Sequence, residues 1–219
     1  MTPLRAALRR VACRAQRNYL LPLANCALLV IDMQRGFLEA EDAAPLRAIE
    51  SKVSAVMAAA RAAGLLVMHS REGYAADGSD VTEAKRLMGY VGEPGPGGPH
   101  LIRGTPSHDF ATGFEPLPSE PVIDKAGFSA FYDTELEALL RKRDISHLVL
   151  MGVTTQCCVH STLRDAVERG FLCLTLEDCC AAFDPALHEA SLAIIQGEDH
   201  LFGWIAESKD LLLGLEAGF

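Results

Sequence analysis

Three short stretches place an acid, a lysine and a thiol directly after apolar runs. Residues 27–31 (ALLVI) end in Asp32, residues 121–123 lead through Asp124 to Lys125, and residues 147–151 run through Gly-Val-Thr-Thr-Gln into Cys157 and Cys158. A carboxylate at the end of a buried run is partly desolvated, which raises its pKa and suits it to proton transfer. The same place would equally suit Asp32 to capping a turn or a helix start. A lysine at a strand end in a cleft would steady a thiolate or an anionic intermediate, although most lysines lie on solvated surfaces. In a continuing strand Asp124 would point away from Lys125. A cysteine in the first turn of a helix meets free N–H groups and the positive end of the helix dipole, which lower a thiol pKa and bind an oxyanion. Its alternative is an inert buried thiol, with Thr154 or Thr155 as the helix cap. Together the three residue types make a base, a charge stabiliser and a nucleophile.

They can act together only if their strands lie side by side. After residues 27–31, an Ala-rich helical pattern covers 46–63 and stops at Gly64. Residues 65–68 read as the next strand and 82–88 as a short helix. Residues 92–98 (GEPGPGG) read as a loop, since their Pro and Gly exclude regular structure. Further strands are expected at 121–123, 147–151, 171–176 and 201–205, with helices at 133–142, from near Cys158 to 168, and at 185–195. This alternation predicts an α/β domain with a parallel sheet between helices. In such sheets, function gathers beyond the carboxyl ends of the strands. No repeat or linker interrupts residues 21–219, which read as one domain behind a basic segment, 1–20.

Composition narrows the partners. The 219-residue chain is 49% hydrophobic with a net charge of -9, which argues against a nucleic-acid partner. No apolar run approaches the ~20 residues of a spanning helix, so no membrane partner is expected. Residues 1–20 hold five Arg and no acid, which fits an organelle-targeting segment or a basic helical arm packed on the domain or a partner subunit. Seven cysteines, odd in number, with two adjacent pairs and no Cys-x-x-Cys, fit a reducing, cytoplasmic setting better than a disulfide scaffold. No glycine-rich nucleotide motif follows a strand, which removes NAD and ATP.

The segments LLVIDMQRGF, VIDKAGFSAFYDTELEALL and LVLMGVTTQCCVHSTLRDAVERGFLCLTLEDCCAAFD resemble the isochorismatase-like cysteine hydrolase family, over about residues 25 to 205. The resemblance implies a three-layer αβα, Rossmann-like fold with a six-stranded, mainly parallel sheet. It implies a catalytic triad of Asp32, Lys125 and Cys158, with Cys158 preferred over Cys157 because the family's nucleophile directly precedes Val, here Val159. Cys157 stands where the family usually has an apolar residue. The family's cis peptide would fall between Val153 and Thr154 and aim the N–H of Thr154, with that of Cys158, at one oxyanion. The family's nicotinamidases bind a metal through Asp-x-His and a second His; here His69 has no second His before His100, so neither a metal nor another cofactor is expected.

The implied reaction is hydrolysis of a small linear ureide or amide, with ammonia released through a thioester. Biuret and triuret hydrolases share with this chain the order His69-Ser70-Arg71-Glu72-Gly73, Ala84-Lys85-Arg86, the Gly-x-Pro-Gly-Pro loop and Arg103-Gly104. Ureidoacrylate and N-carbamoylsarcosine amidohydrolases come next, and Ala-Gly-Phe-Ser-Ala-Phe after Lys125 is closer to theirs. Phe37 would wall a planar substrate, and the Gln196 amide would bond a second carbonyl. Each secondary residue also has a structural reading. Gln196 would satisfy backbone groups, Arg71 would pair with Glu72, Arg103 would cover a loop, and Glu177 and Asp178 would cap. Arg164 and Asp165 would anchor their helix, and His160 would turn away from Cys158. The family implies a homodimer or homotetramer. A non-enzymatic scaffold and a redox sensor using the paired cysteines are the other classes to be weighed.

Overall fold

The computed structural model describes residues 8–95 and 98–216. The chain opens with an antiparallel hairpin of β1 (Leu8–Ala12) and β2 (Asn18–Pro22), with Val11 opposite Tyr19. This corrects the expectation of a helical arm; residues 1–7 lie outside the described residues. Alternation explains the hairpin, because Val11, Tyr19 and Leu21 are buried while Arg10 and Leu20 are exposed. The Tyr19 hydroxyl donates to the Leu172 carbonyl at 2.9 Å. Arg14 pairs with Glu177 and Arg17 with Asp199, so the arm's positive charge meets the domain's own acids.

The remaining elements are β3 (Cys26–Ile31), α1 (Arg35–Leu38), α2 (Ala44–Arg47), α3 (Glu50–Ala62), β4 (Leu66–Glu72) and α4 (Glu83–Met88). Then come β5 (Pro94–Gly95), β6 (Gly98–Pro99), β7 (Val122–Lys125), α5 (Leu136–Lys142) and β8 (His147–Val153). A π-helical turn (Thr155–Val159), α6 (His160–Glu168), β9 (Leu172–Ala181), α7 (Pro185–His200), β10 (Trp204–Ala206) and α8 (Ser208–Glu216) complete the fold. Six strands form one sheet in the order β10-β9-β8-β3-β4-β7, and every neighbouring pair is parallel. All six residues of β3, at the centre, are buried, as expected of a strand covered on both faces. Among the described residues, no helix is long and apolar enough to cross a membrane.

Three expectations shift. Pro94–Gly95 and Gly98–Pro99 form a two-residue antiparallel ladder where regular structure was excluded; in a ladder this short, proline's missing N–H interrupts no longer run. The last strand is Trp204–Ala206, because α7 and its irregular turn at residues 197–199 extend to His200. The unforeseen α8 is capped by Asp178, which accepts from the Ser208 N–H and hydroxyl, each at 2.7 Å.

The strand order reverses between β3 and β8, from which the chain proceeds outward in opposite directions. Such a switch point opens a crevice at the carboxyl ends. At its floor Gly152 adopts φ +121°, and a Cβ there would lie 2.0 Å from the Ile31 carbonyl oxygen. Gly152→Ala therefore forces β3 and β8 apart. The expected loss is about 4 kcal/mol or more in urea unfolding, whereas Gly170→Ala, at φ +80° but with nothing within 4 Å of its Cβ position, should cost only the backbone strain of about 1–2 kcal/mol.

Candidate active site

Four adjacent strand ends supply the site. Asp32 follows β3, Glu72 ends β4, Lys125 ends β7, and Cys158 lies in the π-helical turn after β8. Register explains two of these placements: Glu72 is opposite Lys125, and Ile31 is opposite both Ser70 and Gly152. Asp32 leaves the strand at φ +52°, a left-handed conformation that Asp tolerates better than most residues. Its N–H donates to the Ser70 carbonyl at 3.1 Å, and its Oδ1 accepts from the Ser70 hydroxyl at 2.8 Å. Its Oδ2 lies 2.7 Å from Lys125 Nζ, both side chains being fully buried. Apart from that ion pair, Oδ2 has no hydrogen-bond partner among the described residues.

Lys125 Nζ also donates to the Gly127 carbonyl at 3.1 Å and to Cys158 Sγ at 3.5 Å. Alternation along β7 buries Lys125 and exposes Asp124, as expected of consecutive strand residues. The Cys158 thiol donates to Glu72 Oε2 at 3.4 Å. The structure thus brings Asp32, Lys125 and Cys158 together, and adds a second carboxylate. Val153–Thr154 is the cis peptide expected there. The N–H groups of Cys157 and Val159 turn back onto the Thr154 carbonyl at 3.1 and 3.2 Å, which sets the buried Thr154 beside Cys158 at the opening of the turn.

Glu72 was expected to pair with Arg71, and the structure corrects this. Consecutive strand residues face opposite sides of the sheet, so Arg71 reaches Asp124 while Glu72 turns inward. Glu72 Oε1 lies 3.1 Å from Lys85 Nζ and accepts from the Tyr90 hydroxyl at 2.7 Å and from Tyr74. Lys85 also donates to the Ala126 carbonyl at 2.7 Å and stands 4.0 Å from the centre of the Phe128 ring. The buried charges balance: two ammonium groups face two carboxylates.

Burial pushes the Asp32 carboxyl up, against the pull of Lys125. Burial also acts to raise Glu72, but Lys125, Lys85 and the two tyrosines outweigh it and hold Glu72 below its usual value. Lys125 is raised: burial opposes its charge, and Asp32, Cys158 and Glu72 prevail. The neighbouring Cys157 thiol and burial together raise Cys158, against Lys125. These directions favour the protonated thiol of Cys158 and make Asp32 the more basic of the two carboxyl groups.

Donor atoms of Asp32, Glu72 and Cys158 converge within 4.8 Å of one another, the one group of this kind among the described residues. Lys125 Nζ lies 2.7, 3.7 and 3.5 Å from their atoms, so the lysine itself is the cation they surround. Phe37 is half-buried and packs edge-on to His100, with ring centres 5.8 Å apart, in a group that includes Tyr74 and Tyr90. Gln196 lies elsewhere in the hydrogen-bond network, where its amide oxygen accepts from Arg14 at 3.0 Å. Arg103 pairs with Asp80, and Arg164 donates to His160 and covers Phe202.

A central parallel sheet with an acid, a lysine and a cysteine at its carboxyl edge defines a class of three-layer α/β proteins with a buried thiol site. Within that class, residues 26–210 match the isochorismatase domain, and the chain belongs to the isochorismatase family of hydrolases. It is 30% identical over 209 residues to the ureidoacrylate amidohydrolase RutB of Methylorubrum extorquens, covering 82% of this chain and 78% of that one. A cysteine hydrolase from Pseudomonas syringae superposes with a TM-score of 0.81 at 26% identity, covering 99% of both chains. The nicotinamidase/pyrazinamidase of Bacillus subtilis superposes with a TM-score of 0.71 at 30% identity, covering 84% of this chain and all of that one.

Proposed function

We propose that this chain is a thiol-dependent amidohydrolase that cleaves the C–N bond of a small linear ureide or amide, of biuret type, and releases ammonia. The observation that carries this reading is the buried Cys158 sulfur 3.5 Å from the Lys125 ammonium, itself 2.7 Å from Asp32. The names of the similar amidohydrolase and nicotinamidase support a small amide as substrate. Asp32, whose Oδ2 carries only the Lys125 ion pair and whose pKa burial raises, takes the Cys158 proton, since a base works best near the operating pH. The thiolate sulfur forms a bond to the carbonyl carbon, and the C=O π pair moves onto the carbonyl oxygen.

The N–H groups of Thr154 and Cys158 receive that oxyanion, and each such donor typically lowers the barrier by about 3 kcal/mol. Collapse breaks the C–N bond, and Asp32 returns its proton to the departing nitrogen, giving ammonia and a thioester. Asp32 then takes a proton from water, whose oxygen attacks the thioester carbon; collapse breaks the C–S bond and frees the acid, and the proton on Asp32 passes to the departing Cys158 sulfur. Lys125 stays protonated and steadies the thiolate throughout. Phe37, beside His100 and Tyr90, walls the substrate. A role for Gln196 in holding a second carbonyl would use its Nε2 donor, since its amide oxygen accepts from Arg14.

The test is ammonia release from biuret, triuret, ureidoacrylate, N-carbamoylsarcosine and nicotinamide, with EDTA present. Turnover of a linear ureide or amide is the expected result. A silent panel with Cys158 still alkylated at neutral pH would overturn the substrate class, and an inert Cys158 would overturn the catalytic reading.

A further inference from the structure

Glu72 is placed where a substrate would have to meet it. Its two oxygens differ in their surroundings. Oε1 is taken up by Lys85, Tyr74 and Tyr90, which fix the carboxylate and keep it ionised. Oε2 faces the reacting atoms, 3.4 Å from Cys158 Sγ and 3.7 Å from Lys125 Nζ. Once the thiol proton leaves, Oε2 has lost its donor beside the attacking sulfur. A buried acceptor left in that state is costly unless something replaces the donor.

We infer that Glu72 is a specificity-determining residue whose Oε2 accepts an N–H from the amide bound at Cys158 and whose charge excludes carboxylate-bearing analogues. The site thus takes uncharged amides and ureides. This rests on the amidohydrolase reading above. An anionic substrate would need a free cation near the thiol, and among the described residues the two buried ammonium groups there are committed. Lys125 is held by Asp32 and Lys85 by Glu72. A carboxylate entering beside Cys158 would meet Glu72 in a low-dielectric pocket, where like charges a few ångströms apart repel strongly.

Two alkylating reagents of nearly equal size, iodoacetamide and iodoacetate, separate charge from shape without requiring turnover. Fragment mass spectrometry assigns the adduct to Cys158 rather than Cys157, and a free thiol gives the intrinsic rate ratio. Relative to that ratio, Cys158 should favour iodoacetamide by at least about thirtyfold, and Glu72→Gln should reduce the preference at least about tenfold. Because Glu72→Gln leaves Lys85 buried without its partner, Glu72→Gln/Lys85→Met, which removes the pair together, is the second variant and should show the same loss. In turnover, the preference for biuret over ureidoacrylate should fall in parallel. An unchanged rate ratio in both variants, or a wild type that reacts as readily with iodoacetate, would overturn the proposal while leaving the amidohydrolase reading intact. A Cys158 inert to both reagents would overturn both.

Discussion

Cys158→Ser should lower ammonia release by at least about four orders of magnitude while the protein stays folded. A serine hydroxyl is far harder to deprotonate than a thiol, and the side chains that meet Cys158 Sγ, Lys125 and Glu72, include no histidine to serve as its base. Asp32, even raised by burial, is matched to a thiol with an ammonium 3.5 Å away, not to an alcohol. The substitution is nearly isosteric, so the sheet and the π-helical turn should be retained. Cys157→Ser is the control. Cys157 is only half-buried, and it acts on Cys158 through a side-chain hydrogen bond that a serine hydroxyl can replace, so activity should remain within about threefold. Ammonia assays on both variants, with circular dichroism to confirm folding, decide the matter. If Cys157→Ser were dead and Cys158→Ser active, the nucleophile would be the other thiol.

The second large effect concerns Lys125. Removing its ammonium by Lys125→Met leaves Asp32 buried without its counter-charge and Glu72 with Lys85 alone. Breaking a fully buried pair in this way typically costs about 3–5 kcal/mol, and activity should fall below detection because nothing steadies the thiolate. Asp32→Asn/Lys125→Met should recover most of that stability, since no buried charge is stranded, but none of the activity. Urea denaturation and ammonia release measured on the same three proteins separate the two roles. A single Lys125→Met variant as stable as wild type would mean that water reaches Asp32 and that the site is not dry.

Much of the architecture was legible because it follows from local patterns. The run ALLVI is buried on both faces as read, the Ala-rich stretch is helical, and the alternation of elements produces the parallel sheet. Of the N-terminal arm, only the expectation of a helix fails: its five arginines draw attention to charge, whereas its period of two, with Val11, Tyr19 and Leu21 inward, marks a strand pair. The strand read as residues 65–68 runs on to Glu72. Its last residues, HSRE, carry no hydrophobic signal, so a pattern-based boundary falls short. In the fold they continue the ladder beside β3 and β7, with Ser70 and Glu72 turned toward the crevice.

The sequence by itself determined the three motifs, their attachment to strand ends, and the choice of Cys158 through the Val that follows it. Residue types and their order suffice for that, because a strand end is a local event and a motif is a string. Tertiary structure decided which strand ends are neighbours, and hence that Glu72 stands opposite Lys125 and 3.4 Å from the thiol. It decided that Gln196 bonds Arg14 and that Lys85, far from Lys125 along the chain, balances the second carboxylate. Such pairings depend on register and on burial, which fix distances between segments that the chain leaves free. Electrostatic coupling depends on those distances and on the surrounding dielectric, so the proton-holding character of the site appears only when the sheet is assembled.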